Sequence, residues 1–496
     1  LLQPDRLEDW SSVDTLTLPR VQTWDLSDTG DSDSKYTELA QVIAASFPAD
    51  SPDPRLAARA GMLHDIWHYR PGAEATTREG FAGPPPGDIR PHPWPVVRAD
   101  PRVERLIEPR QVAGLQQFYR SLERFGLLDH GPDGGSNNWA VHGSKTASGN
   151  PMLANDPHLS LPSPPVWWYV HLNTARAGGD YDAMGVAFAG MPLVVLGFNR
   201  KVAWGATVSN YDVADLYLET ITPGQNGEPD TVLFNGEQVP IEIVHEEIGM
   251  NVGDPIPFDI EVVPHHGPIL PGTRTETSAV SLRWTGQTPS NEFKAFYGFN
   301  LAENLDDVKA SLTDFEVGGQ NFVFATADGD IFWSTRVHVP VRDPRAMTYD
   351  PETRTGYSPA MVLPGTGEYE WIGRLDDADI PTDENPAKGW IATANQDQVG
   401  VSHDGNPFND EHYLGNTYNP GYRMAAIVER MTGLAADGAI TPEDMISVQA
   451  ESRSTLGQRL AGSFVAALDR AAEEMDAAGT HPDLTAVIEE AGPDTM

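Results

Sequence analysis

The sequence contains no cysteine among its 496 residues. Disulfides, thiolate metal centres and cysteine nucleophiles are therefore excluded, and cysteine usage says nothing about compartment. Positive charge is scarce: 33 Lys and Arg stand against 72 Asp and Glu, for a net charge of −39. Only six of the 33 are lysines, at positions 35, 145, 201, 294, 309 and 388. Such a chain is repelled by nucleic acid and by anionic lipid, so neither is expected as a partner. Dense carboxylates with few lysines suit a salt-rich solvent that screens their repulsion; the plainer alternative is an ordinary acidic protein. No apolar run reaches the ~18 residues that a membrane-crossing helix requires. The chain opens on Leu1 with neither an initiator methionine nor a signal-peptide pattern, and the expectation is that further sequence precedes it.

The residues that are present suffice for a large body. Hydrophobic residues make up 40% of the chain, with 12 Trp, 14 Tyr and 17 Phe, which argues against disorder despite the charge. The length exceeds what one core supports, so a two-part globule is expected. Residues 1–70 read mainly as helix, from the apolar spacing in 36–43 and 56–63. The Pro/Gly-rich stretch 71–102, with Pro84-Pro85-Pro86 and Pro91-His92-Pro93-Trp94-Pro95, cannot hold regular structure. Residues 103–126 turn helical again, and 129–135 form an exposed turn. After Ser136 the pattern is of short strands, first as a hairpin through Ala147-Ser148-Gly149-Asn150, until helices resume near Tyr422. Antiparallel strands flanked by helices predict an α+β fold, without internal repeats.

One segment carries chemistry. In Gly134-Gly135-Ser136-Asn137-Asn138-Trp139, a glycine pair precedes a serine that opens a strand. A serine hydroxyl can attack its own preceding carbonyl, and water then cleaves the resulting ester. The new chain begins with serine, whose α-amine has a pKa of about 8 and can serve as base for its own hydroxyl. Alone, Gly-Gly-Ser is merely a loop. The weight comes from the downstream residues and their order: Leu153-Ala154-Asn155-Asp156-Pro157-His158-Leu159, then Pro164-Pro165 and the aromatic run 166–172.

That series resembles the opening of the β-chain in penicillin acylases, a family of N-terminal-nucleophile hydrolases. Later blocks agree in order: Gly190-Met191-Pro192, the stretch 203–208, Gly319-Gln320-Asn321-Phe322, Val339-Pro340-Val341-Arg342 and the stretch 391–396. The resemblance covers most of residues 5–435. It implies a four-layer αββα sandwich of antiparallel sheets. It divides the chain into the end of an α-chain with its Pro/Gly-rich loop (1–102), a spacer (103–135) and the beginning of a β-chain (136–496). Both chains of the family extend further, so sequence before Leu1 and after Met496 is expected.

The resemblance also implies roles, residue by residue. Cleavage falls between Gly135 and Ser136, and Ser136 is the nucleophile. His158, where the family has His or Gln, would orient the Ser136 hydroxyl and amine. Asn321 and the backbone N–H of Val208 would form the oxyanion hole. Arg342 matches an arginine near the active centre, with a structural ion pair as the competing reading. Glu38, Asp212, the carbonyl of Ala214 and Asp215 match the ligands of one structural Ca²⁺, though chance is a serious competitor in so acidic a chain. Leu159 and Leu196 stand where penicillin G acylases place aromatic pocket residues, which would favour an aliphatic acyl chain. His265-His266-Gly267-Pro268 is a metal cue without an evident third ligand and reads as a strand end before a turn; Trp167-Trp168-Tyr169 reads as core.

The resemblance implies amide hydrolysis through an acyl-enzyme, on a penicillin or related small N-acyl compound, outside the cytoplasm, by two chains cut from one precursor. An acyl-homoserine-lactone or lipopeptide acylase is an alternative, and a non-catalytic secreted binding protein that keeps the fold is another. A conventional triad hydrolase lacks its Gly-x-Ser-x-Gly elbow here.

Overall fold

A computed structural model describes residues 9–46, 52, 76–78, 107–124 and 135–476, apart from positions 28, 160, 162, 164, 251–252, 350–355, 404–405 and 409. The expected helix at 56–63, the Pro/Gly-rich stretch 79–102 and the turn 129–134 lie outside the described residues. The helix expected over 103–126 is found at Pro109–Arg124.

Side-chain alternation along a few strands generates the architecture. Gly135–Val141 pairs antiparallel with Met152–His158 on one edge and Trp390–Thr393 on the other, forming a three-stranded sheet. Trp139, Val141, Trp390 and Ala392 point to one face, where they pack on Met424, Ile427 and Met431 of helix Tyr422–Asp437. Ala140 and Ile391, one residue out of phase, point to the opposite face and join Val323, Ala325 and Trp333 of a second sheet. That seven-stranded sheet is centred on Val202–Val208 and Gln320–Thr326. Its far side carries Trp204, Phe322 and Phe324 against Phe299 and Val308. These last residues belong to helices Glu292–Leu301 and Leu305–Leu312.

The order is thus helix, sheet, sheet, helix: the α+β sandwich expected. The helices at 292–312, inside a region read from sequence as strands, were not anticipated. Their apolar residues serve as the cover that the second sheet requires. A separate five-stranded sheet runs through the central strand Ala214–Thr222, beside the hairpin of Glu242–Ile248 and Ile256–Val263. Among the described residues, no helix is long and apolar enough to cross a membrane.

Candidate active site

Ser136 is the second residue of its strand, opposite Pro157, and only 5% exposed. Its backbone is clamped from both sides. The Ser136 N–H donates to Asn395 Oδ1 at 2.6 Å, and the Ser136 carbonyl accepts from Arg423 Nη1 at 2.8 Å. Arg423 also donates to Asn137 Oδ1 and, through Nη2, to Asn395 Oδ1 at 2.9 Å. Burial lowers the pKa of this guanidinium to about 10, against the raising influence of Asp156. Asn395 has φ +62°, a left-handed conformation that asparagine tolerates better than most residues. Its Nδ2 donates to the Val208 carbonyl at 2.8 Å. One side chain therefore ties the serine peptide to the end of strand Val202–Val208. Neither Asn395 nor Arg423 was assigned a role from sequence. Asn395 sat in a matched block, whereas Arg423 lies 287 positions from Ser136 and is brought there only by packing of its helix on the first sheet.

The serine opens on an apolar cavity. Pro157, Leu159, Leu196, Phe296 and Phe322 line it together with Val208, and Gln22, Thr23 and Leu26 of the N-terminal segment close one side. Trp167 stacks on Phe188 at 4.7 Å in its wall. The two expected pocket leucines are thus both beside Ser136, but among aromatic rings rather than in place of them.

Other expected residues fall elsewhere. In the hairpin register Gly135 faces His158 and Ser136 faces Pro157. Directly opposed residues share a face, so the His158 imidazole lies on the helix side of the sheet, across it from the side chain of Ser136. There it bonds Asp156 Oδ2 at 2.9 Å. The expectation that it orients the Ser136 hydroxyl is not met in this arrangement. Asn321 is fully buried. Its Nδ2 donates to Thr207 Oγ1 at 3.1 Å and to the Val208 carbonyl at 3.2 Å, while its Oδ1 accepts from Trp333 Nε1 at 3.1 Å. Both amide hydrogens are therefore taken, and Asn321 braces the Val208 peptide instead of facing the cavity. Val208 does line the cavity.

Arg342 and the expected calcium ligands must be corrected together. The Arg342 guanidinium lies between Asp212 and Asp215, with Nε 2.8 Å from Asp215 Oδ2 and Nη2 on Asp212 Oδ1. All three residues are at most 3% exposed. Arg342 is thus the structural ion pair, and it does not line the serine cavity. Glu38, on helix Asp31–Ser46, turns instead to Gln116, whose Nε2 donates to it at 2.6 Å. Calcium takes six to eight oxygens, but here an organic cation already fills the space between the two aspartates. The set Glu38, Asp212, Ala214 and Asp215 does not fit that ion in this arrangement.

Comparison with known proteins gives a consistent picture. The sequence model of the family described as penicillin amidase matches residues 1–486. The acyl-homoserine lactone acylase QuiP of Pseudomonas fluorescens (strain Pf0-1) is 28% identical over 377 residues, 75% of this chain and 42% of that protein. The penicillin acylase 2 proenzyme of Pseudomonas sp. (strain SE83) is 31% identical over 324 residues, 65% of this chain and 38% of that protein. The thermostable penicillin G acylase of Alcaligenes faecalis superposes with a TM-score of 0.50 at 20% identity, covering 63% of this chain and 51% of its own. The chain thus spans about two-fifths of the length of these curated relatives. With a family match over nearly its whole length and the sandwich in place, the chain belongs to the penicillin amidase family.

Proposed function

We propose that this chain is part of an amidohydrolase that removes the acyl group from a small N-acyl amide, using Ser136 as an N-terminal nucleophile. The observation that carries this reading is the clamped serine at the mouth of an apolar cavity, immediately after a glycine. In the first step, Ser136 Oγ attacks the Gly135 carbonyl carbon and its proton passes to the departing nitrogen, turning the amide into an ester. Water cleaves the ester, leaving a carboxylate on Gly135 and a free amine on Ser136. In the working enzyme that amine takes the hydroxyl proton as Oγ attacks the substrate carbonyl, then gives it to the leaving amine. Water releases the acid from the acyl-enzyme.

Several neighbours support the roles. Asn395 Oδ1 accepts from the serine nitrogen before cleavage and is placed to do so afterwards. The guanidinium of Arg423, bonded to the same oxygen, disfavours a second positive charge and so keeps the amine in its basic form. The backbone N–H of Val208 serves the oxyanion, on a peptide whose carbonyl is fixed by Asn321 and Asn395.

The cavity, with Leu159 and Leu196 beside the nucleophile, takes an apolar acyl chain, preferably aliphatic. Relatives named acyl-homoserine lactone acylases make an acyl-homoserine lactone a substrate of the expected class. The strongly acidic, lysine-poor composition suits work in salt-rich water. The test is hydrolysis of octanoyl and phenylacetyl amides, and of octanoyl-homoserine lactone, by the full-length protein in high salt. Faster cleavage of the octanoyl compounds is expected; faster cleavage of phenylacetyl amide refutes the acyl preference, and no cleavage of any refutes the enzyme.

A further inference from the structure

The His265-His266 pair lacked a third ligand in the sequence, and the fold supplies one. The pair comes directly after strand Ile256–Val263 and Pro264, and Gly267, at φ +96°, turns the chain immediately beyond it. Glu219, from the central strand Ala214–Thr222, is fully buried beside them. Donor atoms of Glu219, His265 and His266 all lie within 4.8 Å of one another; among the described residues, three such groups converge only here.

Two buried atoms in this cluster have no hydrogen-bond partner: Oε2 of Glu219 and Nε2 of His265. Burying a polar atom unpaired is costly, so each of these two atoms is free to take a further partner, an ion among them. The rest of the cluster is held firmly. Glu219 Oε1 accepts from Ser281 Oγ at 2.6 Å and bonds His266 Nδ1 at 2.6 Å. His266 Nε2 bonds Glu370 Oε1 at 2.9 Å, and Glu370 Oε2 accepts from Arg283 at 2.7 Å. His266 lies flat on Tyr217 at 3.8 Å, and His265 lies on Phe234 at 3.7 Å. A surface cleft lined by His265, Arg283, Trp371 and His338 gives access from solvent.

We propose that Glu219, His265 and His266 bind one divalent transition-metal ion of the zinc class. Two imidazole nitrogens and one carboxylate oxygen suit Zn²⁺, Co²⁺ or Ni²⁺ and not the all-oxygen shell that Ca²⁺ or Mg²⁺ prefers. Glu370 completes the pattern of a carboxylate behind a metal-bound imidazole, which fixes the ring and raises its basicity. On binding, the proton shared between His266 Nδ1 and Glu219 leaves to solvent, and the Nε2–H keeps its bond to Glu370. Around an ion at about 2.0–2.2 Å from each donor, tetrahedral ligands stand roughly 3.4 Å apart, so His266 Nδ1 and Glu219 Oε1, now 2.6 Å apart, part slightly while His265 draws in. His265, held by stacking alone at its ring, supplies that movement. A fourth position faces the cleft and is left to water.

The site lies on a different sheet from Ser136, and its test does not depend on the acylase reading. Tag-free full-length protein with Ser136→Ala is titrated with ZnCl₂ by calorimetry, and with CoCl₂ by visible absorption. Excess MgCl₂ occupies the many surface carboxylates. One equivalent of Zn²⁺ is expected, with a tetrahedral Co²⁺ spectrum. His265→Ala and Glu219→Gln should each weaken binding at least tenfold, with circular dichroism confirming that they fold. His265→Ala removes a half-buried ring, so it keeps the test open should Glu219→Gln fail to fold. Absence of stoichiometric uptake by the parent, or uptake unchanged in His265→Ala, overturns the proposal.

Discussion

Replacing Asn395 by alanine should damage stability and processing together, because one buried amide serves three groups. Truncation removes the acceptor of the Ser136 N–H, one acceptor of Arg423 and one donor to the Val208 carbonyl. Arg423 keeps Ser136 O and Asn137, and the Val208 carbonyl keeps Asn321, so the lasting loss is the Ser136 N–H. An orphaned buried N–H costs about 1–3 kcal/mol. Alanine at φ +62° adds about 1–2 kcal/mol of backbone strain that asparagine largely escapes. The sum, about 2–5 kcal/mol, is a large fraction of the about 5–15 kcal/mol that holds a typical domain folded. Asn395→Gly loses the same hydrogen bonds without the strain, so it should fall about 1–2 kcal/mol short of the alanine variant. Urea unfolding in a Ser136→Ala background, where no cleavage intervenes, separates these terms. In the background with Ser136 intact, a serine peptide no longer held should be cleaved about 10²-fold more slowly. If Asn395→Ala unfolds within about 0.5 kcal/mol of its parent and is processed at the normal rate, the clamp has no such role.

The buried charges have consequences of their own. Asp215→Asn leaves Arg342 with half its compensation and should destabilise by about 3–5 kcal/mol, read as a lowered urea midpoint. Because that arginine supplies the cation, adding CaCl₂ to metal-stripped protein should leave Tm unchanged; a rise of several degrees contradicts the assignment. Burial, with Arg374 and Arg336 nearby, lowers the His338 pKa to about 4 from 6.5. Between those values the unfolded chain binds a proton that the native one does not, so stability rises with pH over that window and is lost as pH falls through it. His338→Gln should flatten this part of the urea-midpoint profile, and an unchanged slope refutes the attribution.

The parts legible in the sequence were local. The hairpin after Ser136 announces itself by turn residues between two apolar runs, and the pocket leucines are placed by their positions in the family's order of blocks. Arg423 could not be read because its partner is 287 positions away and the approach depends on Met424, Ile427 and Met431 packing on the sheet. His158 was misplaced because a single step of register decides which face a side chain takes, and the connection 142–151 between the two strands does not reveal that register in its composition. Arg342 and the aspartates were seen separately as arginine and calcium ligands, though opposite charges brought together inside a fold neutralise each other first. Glu219 escaped notice as a partner of His266 because it stands 47 positions earlier, with two strand pairs between them before the chain returns.

The central claim is that one peptide bond breaks and makes a new chain start. Edman sequencing of full-length protein purified from high salt should find a polypeptide beginning Ser136-Asn137-Asn138, and the Ser136→Ala protein should remain uncut and inactive on acyl amides. A Ser136→Ala protein that is still cut at this bond and still releases the acid would contradict the account.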